Sequence, residues 1–118
     1  MGIVHHSNYL RFCEEARVQW FVEQGYQIAL EEIFGLVVYE TKVQHTYPLR
    51  YGDEVTIDVQ LKSKGPRLII QYLIKAQQKI AARAQTVHCR IDQNFKVLRL
   101  DQKVIQLLEK EKWTETWL

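Results

Sequence analysis

The chain is poor in the features that advertise covalent staples, membranes or nucleic acids. Its two cysteines, Cys13 and Cys89, lie far apart and form no CxxC pair. Their spacing offers no disulfide framework, and they are expected to be reduced, buried thiols of a cytoplasmic protein. Two prolines and five glycines in 118 residues leave no Pro- or Gly-rich linker between domains, so a single domain over residues 1–118 is expected. No apolar run reaches the ~18 residues that a membrane span needs. Met1 to His6 shows neither the charged nor the apolar region of a signal peptide. With 16 basic against 14 acidic residues the charge is only +2, too little for the dense basic stripe that displaces counterions from phosphates. The four histidines show none of the HxH, HxxxH or HExxH spacings, so no metal site is expected.

What is present is an ordinary globular composition, 47% hydrophobic and 25% charged, ample for a core without metal or disulfide. Tyr9, Cys13, Ala16 and Trp20 fall on one face of a helix expected from about Tyr9 to Gln24. Phe12, Val18, Phe21 and Val22 broaden that face, which predicts a helix enclosed by other elements. Ser7 or Asn8 is the expected N-cap and Gly25 the stop. Glu14 with Arg17 and Glu15 with Arg11 are spaced for ion pairs one turn apart. A short second helical piece is expected from Gln27 to Phe34.

Beyond Gly35 the period changes from 3.6 to 2. Strands are expected over Val37–Tyr47, from Val55 to Lys62, from Leu68 to Ile74 and from Ile80 to Asp92, with a short run from Val97 to Leu100. Tyr51-Gly52-Asp53 and Ser63 to Pro66 read as turns, with Asp53 a turn former. Ala82 and Ala84 place small side chains on one face, where a helix can approach closely. Asp101 is the expected cap of a last helix with Val104, Ile105, Leu107 and Leu108 on its apolar side and lysines in its last turn. Trp113 and Trp117 are expected to pack rather than to form an exposed patch. Helices segregated from runs of strands give an α+β chain with an antiparallel sheet curled around one long helix.

The stretch Gly2-Ile3-Val4-His5-His6-Ser7-Asn8-Tyr9, followed by Phe12, Glu14, Ala16 and Arg17, carries the most information. It resembles the N-terminal signature of hotdog-fold acyl-CoA thioesterases of the 4-hydroxybenzoyl-CoA thioesterase-like group, which includes bacterial short-chain acyl-CoA thioesterases. Tyr47-Pro48 with Tyr51-Gly52-Asp53, and Thr86-Val87-His88 near Asp92, also look like the family pattern. The resemblance implies hydrolysis of an acyl-CoA thioester to free acid and CoA, at a site between the subunits of a homodimer or homotetramer. It implies no cofactor other than the CoA carried by the substrate.

Within such a site Gly2 leads into the helix and the backbone N–H around His6 polarises the thioester carbonyl. Asn8 stands at the helix start, where unpartnered N–H groups stabilise negative charge. His6 is a candidate general base or positioning residue. The family's carboxylate falls three residues ahead of Gly2, where this sequence has only Met1. A non-catalytic acyl-CoA binding module of the same fold is therefore the alternative, and a dehydratase of that fold a lesser one. Lys64 and Arg67, flanking the Gly65-Pro66 turn, match the hairpin that in the family presents basic residues to the nucleotide phosphates of CoA. Cys13, on the apolar helix face, reads as a core thiol rather than a nucleophile.

Overall fold

The computed structural model describes residues 7–23, 36–100 and 102–115. Helix α1 (Ser7–Glu23) is followed by β1 (Val37–His45), β2 (Val55–Lys64), β3 (Arg67–Ala76), β4 (Lys79–Ile91), the two-residue β5 (Val97–Leu98) and α2 (Gln102–Glu109). The main strands form one antiparallel sheet in the order β1-β4-β3-β2, with β5 on the end of β4. Ser7 and Asn8, the two expected caps, are the first two residues of α1. The segment expected as a second helix, with Gly25, lies outside the described residues, as do Asp101 and Trp117. α2 ends before Lys110 and has no basic residue in its last turn, unlike the expectation.

The alternation of β2 and β3 decides which face is core. Val55, Ile57, Val59 and Leu61 pair in register with Ala76, Ile74, Tyr72 and Ile70, and the row continues into Ala82, Ala84, Thr86 and His88 of β4. This inner face meets Tyr9, Cys13 and Phe21 of α1, all buried, and α2 adds Val104 and Leu108 to the same cluster. Ala82 and Ala84 are completely buried, consistent with the close helix approach that small side chains allow. The enclosure is partial, however: Arg11, Glu14, Glu15, Gln19, Val22 and Glu23 remain exposed. Four strands twist enough to cover one side of a helix, and among the described residues nothing covers the other. Between α1 and β2, a groove of about 520 Å³ is lined by Phe12, Trp20, Val55, Ile57 and Val59.

Turns set the registers. The β2–β3 hairpin closes on Gly65 and Pro66 alone, with Lys64 paired to Arg67 and Gly65 at φ 58°; a left-handed glycine is what a two-residue hairpin demands. The β3–β4 hairpin achieves the same with Gln77 and Gln78, at φ 52° and 64°. No glycine or asparagine marks it in the sequence. At Asp92 the side chain accepts from the N–H groups of Asn94 (2.7 Å) and Lys96 (3.0 Å), turning the chain toward β5.

On the outer face Gln60, Gln71 and Gln85 share one register row and bond side chain to side chain, at 2.6 and 2.7 Å. Gln60 also clamps the C-terminal segment, donating to the Thr114 carbonyl and accepting from its N–H, each at 2.9 Å. Trp113 packs there under Lys62, whose ammonium lies 4.3 Å from the ring centroid. The packing expected of Trp113 is thus what the structure has.

Candidate functional site

The first turn of α1 is held against one end of the sheet. Tyr9 accepts a hydrogen bond from the Leu49 N–H at 3.3 Å, and its ring meets His45 edge-on, centroids 4.5 Å apart. The N–H groups of Thr46 and Tyr47 both donate to the Ala81 carbonyl, at 2.8 and 3.0 Å. The chain leaving β1 therefore stays under the helix start. Asn8 lies here, half-buried. Gly2 and His6 lie outside the described residues. The helix start gathers free backbone N–H groups at the positive end of the macrodipole. His45 is a site-side histidine that spacing did not single out, because only sheet closure brings it to Tyr9.

The ion pairs expected on α1 split. Arg11 and Glu15 do pair, at 3.5 Å, on the exposed side. Arg17 does not pair with Glu14. Its position, four residues after Cys13 and four before Phe21, turns it onto the sheet. There Nη1 donates to the Tyr72 hydroxyl and to His88 Nε2, both at 3.3 Å. Thr86 Oγ1 lies 2.8 Å from the Tyr72 hydroxyl and 2.9 Å from His88 Nε2.

One proton arrangement satisfies all these contacts. Tyr72 donates to Thr86, Thr86 donates to His88 Nε2, and a neutral His88 with its proton on Nδ1 accepts from both Thr86 and Arg17. Burial, then the Arg17 charge, pull the His88 pKa down to about 4, so this histidine is uncharged at neutral pH. Burial raises the Tyr72 pKa and pushes the Cys13 thiol up to about 12. That thiol is an inert core group, as the sequence suggested. Arg17 follows Asn8 by nine residues, about 13 Å along the helix axis. The network anchors α1 to the sheet and is too distant to act on a group bound at the helix start.

Lys64 and Arg67 stand opposite each other across the β2–β3 turn, both exposed. Lys62, the third basic residue of that cluster, is drawn off by Glu115 at 3.4 Å. In β4, Arg67 pairs with Cys89, whereas the helix start lies over the row of His45 and Ala82. Seven residues of β4 separate those rows, about 23 Å. Within the chain, the anion-favouring helix end and the basic hairpin lie at opposite ends of the sheet. Among the described residues no three His, Cys, Asp or Glu side chains gather as metal ligands, and no helix is long and apolar enough to cross a membrane.

The comparisons agree with this architecture. A family model described as the thioesterase-like superfamily matches residues 1–110. A putative esterase of Aquifex aeolicus is 29% identical over 111 residues, spanning 92% of this chain and 86% of the relative. An acyl-CoA thioesterase, YbgC, of Helicobacter pylori is 36% identical over 62 residues, 52% of this chain and 45% of the relative. Among solved structures, a Thermus thermophilus thioesterase complexed with coenzyme A and zinc superposes with a TM-score of 0.73 at 26% identity, covering 92% of this chain and 82% of that one. A helix laid on an antiparallel sheet, matched along nearly the whole chain, places this protein in the thioesterase-like superfamily with a hotdog fold.

Proposed function

We propose that the protein hydrolyses an acyl-CoA thioester to a free acid and CoA, at a site shared by two protomers. The observation that carries this is the separation of the helix start from the basic hairpin within one sheet. A CoA thioester is elongated, with its reactive carbonyl at one end and its nucleotide phosphates at the other. One protomer offers complementary groups for both, but at opposite ends.

A two-fold pairing through β1 also brings the basic hairpin of one protomer near the helix start of the other. β1 is the terminal strand of the sheet, and Val37 and Val38 on it are 40 and 53% exposed. A free edge with apolar side chains is a template for another strand. Antiparallel pairing of two such edges reverses the second sheet, and the Lys64–Arg67 end of one protomer then lies beside the α1 start of the other. There the thioester carbonyl would meet the helix N–H groups, which stabilise the oxyanion formed on attack by water. His6 serves as general base or orients that water, Gly2 lets the chain pass close to the substrate, and Asn8 holds the helix start. Lys64 and Arg67 receive the phosphates, and CoA enters only as part of the substrate. The same pair can build a dimer or a tetramer, and reduced Cys13 and Cys89 suit the cytoplasm.

The test is a panel of short aliphatic and aryl CoA thioesters, followed by release of free CoA thiol. Turnover is expected, with His6→Ala lowering kcat at unchanged melting temperature and joint charge reversal at Lys64 and Arg67 raising KM. A strictly monomeric protein, or full activity in the His6 variant, would contradict the assignment. A second reading, a binding module without turnover, is favoured by one feature: no acidic residue stands in the first turn of α1. Saturable acyl-CoA binding with no thiol release would select it.

A further inference from the structure

The register of β1 against β4 slips at Tyr39, so that Tyr39 and Glu40 together oppose Val87. Bulges of this kind redirect a side chain, and they cluster beside functional sites. Tyr39, two residues after Val37, stands on the outer face with Arg67, and the slip sets Glu40 on that face beside it. Arg67 reaches it from two strands away, over Cys89, which pairs with Val37 on one side and Arg67 on the other and is buried. The guanidinium centre lies 4.8 Å from the Tyr39 ring centroid.

Covering Cys89 needs only an apolar lid, yet the pair is a surface feature: Tyr39 is 55% exposed and Arg67 is exposed as well. Among the described residues no carboxylate forms an ion pair with Arg67. Glu40 lies 3.9 Å from Lys42, and Glu115 is held by Lys62. The guanidinium centre stays over the ring while the side chain remains exposed, so its donors are open to a ligand. Purine rings stack on guanidinium planes, and the donor edge suits phosphate. Lys64, directly across the hairpin, adds an exposed ammonium.

We infer that Tyr39 is a positioning residue that holds Arg67 flat as a stacking platform for the adenine ring of CoA, with Lys64 meeting the adjoining phosphates. This rests on the acyl-CoA reading above and adds to it a purine-specific subsite. Tyr39 is then a determinant of nucleotide recognition and takes no part in bond cleavage.

The experiment compares wild type, Tyr39→Phe, Tyr39→Ala and Arg67→Lys on two thioesters of the same acid, one of CoA and one of N-acetylcysteamine, which lacks the nucleotide. A base stacked on a planar side chain contributes enough to change affinity on the order of tenfold. Tyr39→Ala is therefore expected to raise KM for the CoA thioester about tenfold at unchanged kcat, and to leave the N-acetylcysteamine thioester untouched. Tyr39→Phe should behave as wild type, and Arg67→Lys, which keeps the charge and loses the plane, should resemble Tyr39→Ala. Calorimetric titration with adenosine 3′,5′-bisphosphate supplies a readout independent of hydrolysis. Weaker bisphosphate binding in Tyr39→Ala, with no turnover in any variant, would keep the platform and reject the hydrolase. Wild-type bisphosphate affinity in Tyr39→Ala or Arg67→Lys, or equal impairment on both thioesters, would overturn the platform itself.

Discussion

Acid should loosen this protein partly through one histidine. His88 is 2% exposed and neutral, with a folded pKa of about 4 against an ordinary value of 6.5. Because the folded value is depressed, the unfolded chain binds a proton that the native state refuses between those limits. The stability contributed by neutral His88 is thus present above pH 6.5 and lost as pH falls toward 4. A gap of that size corresponds to roughly 3 kcal/mol, a large share of the 5–15 kcal/mol typical of a domain.

The measurement is a series of urea unfolding curves between pH 7.5 and 4 for wild type and His88→Gln. Carboxylates titrate alike in both proteins and cancel in the difference. The wild type is expected to lose on the order of 2–3 kcal/mol more than the variant over that range, whatever the variant costs at neutral pH. Parallel stability–pH curves would refute the placement of His88 as a buried neutral acceptor beneath Arg17.

Three further outcomes follow from neighbouring contacts. Arg17→Met keeps the aliphatic stem but removes the donor shared by Tyr72 and His88; it should cost about 1–3 kcal/mol in denaturant melts, and removing the nearby charge should raise the His88 pKa measured by NMR titration. Tyr9→Phe leaves the Leu49 N–H without its acceptor; a loss of about 1 kcal/mol is expected, together with a lower kcat if the helix start is the reactive end. Cys13 and Cys89 are both buried, so a thiol reagent should label neither in the native protein and both in urea. Rapid native labelling of Cys13 would contradict its place in the core.

Much of the architecture was legible in the chain because periodicity reports burial directly. Val55, Ile57, Val59 and Leu61 alternate, and the strand they mark exists with those residues inward. The signature from Gly2 to Arg17 pointed to the family that the comparisons establish. The chemistry of individual polar residues was less legible. Arg17 looked like the partner of Glu14 on helical spacing alone, yet the same four-residue spacing that buries Cys13 and Phe21 turns it onto the sheet. The hint was there: an arginine sat in an otherwise apolar stripe. The β3–β4 turn was hidden for another reason, since Gln77 and Gln78 adopt a left-handed backbone that the paired strands impose and no local propensity encodes.

By itself the sequence determined the succession of elements, the apolar face of each and the family, because these depend on side-chain character and near neighbours. The tertiary structure decided which strands became edges, that His45 meets Tyr9, that His88 lies under Arg17 and that Tyr39 carries Arg67. Each of these joins residues 28 to 71 positions apart, and only the sheet order and its register bring such distant residues within contact.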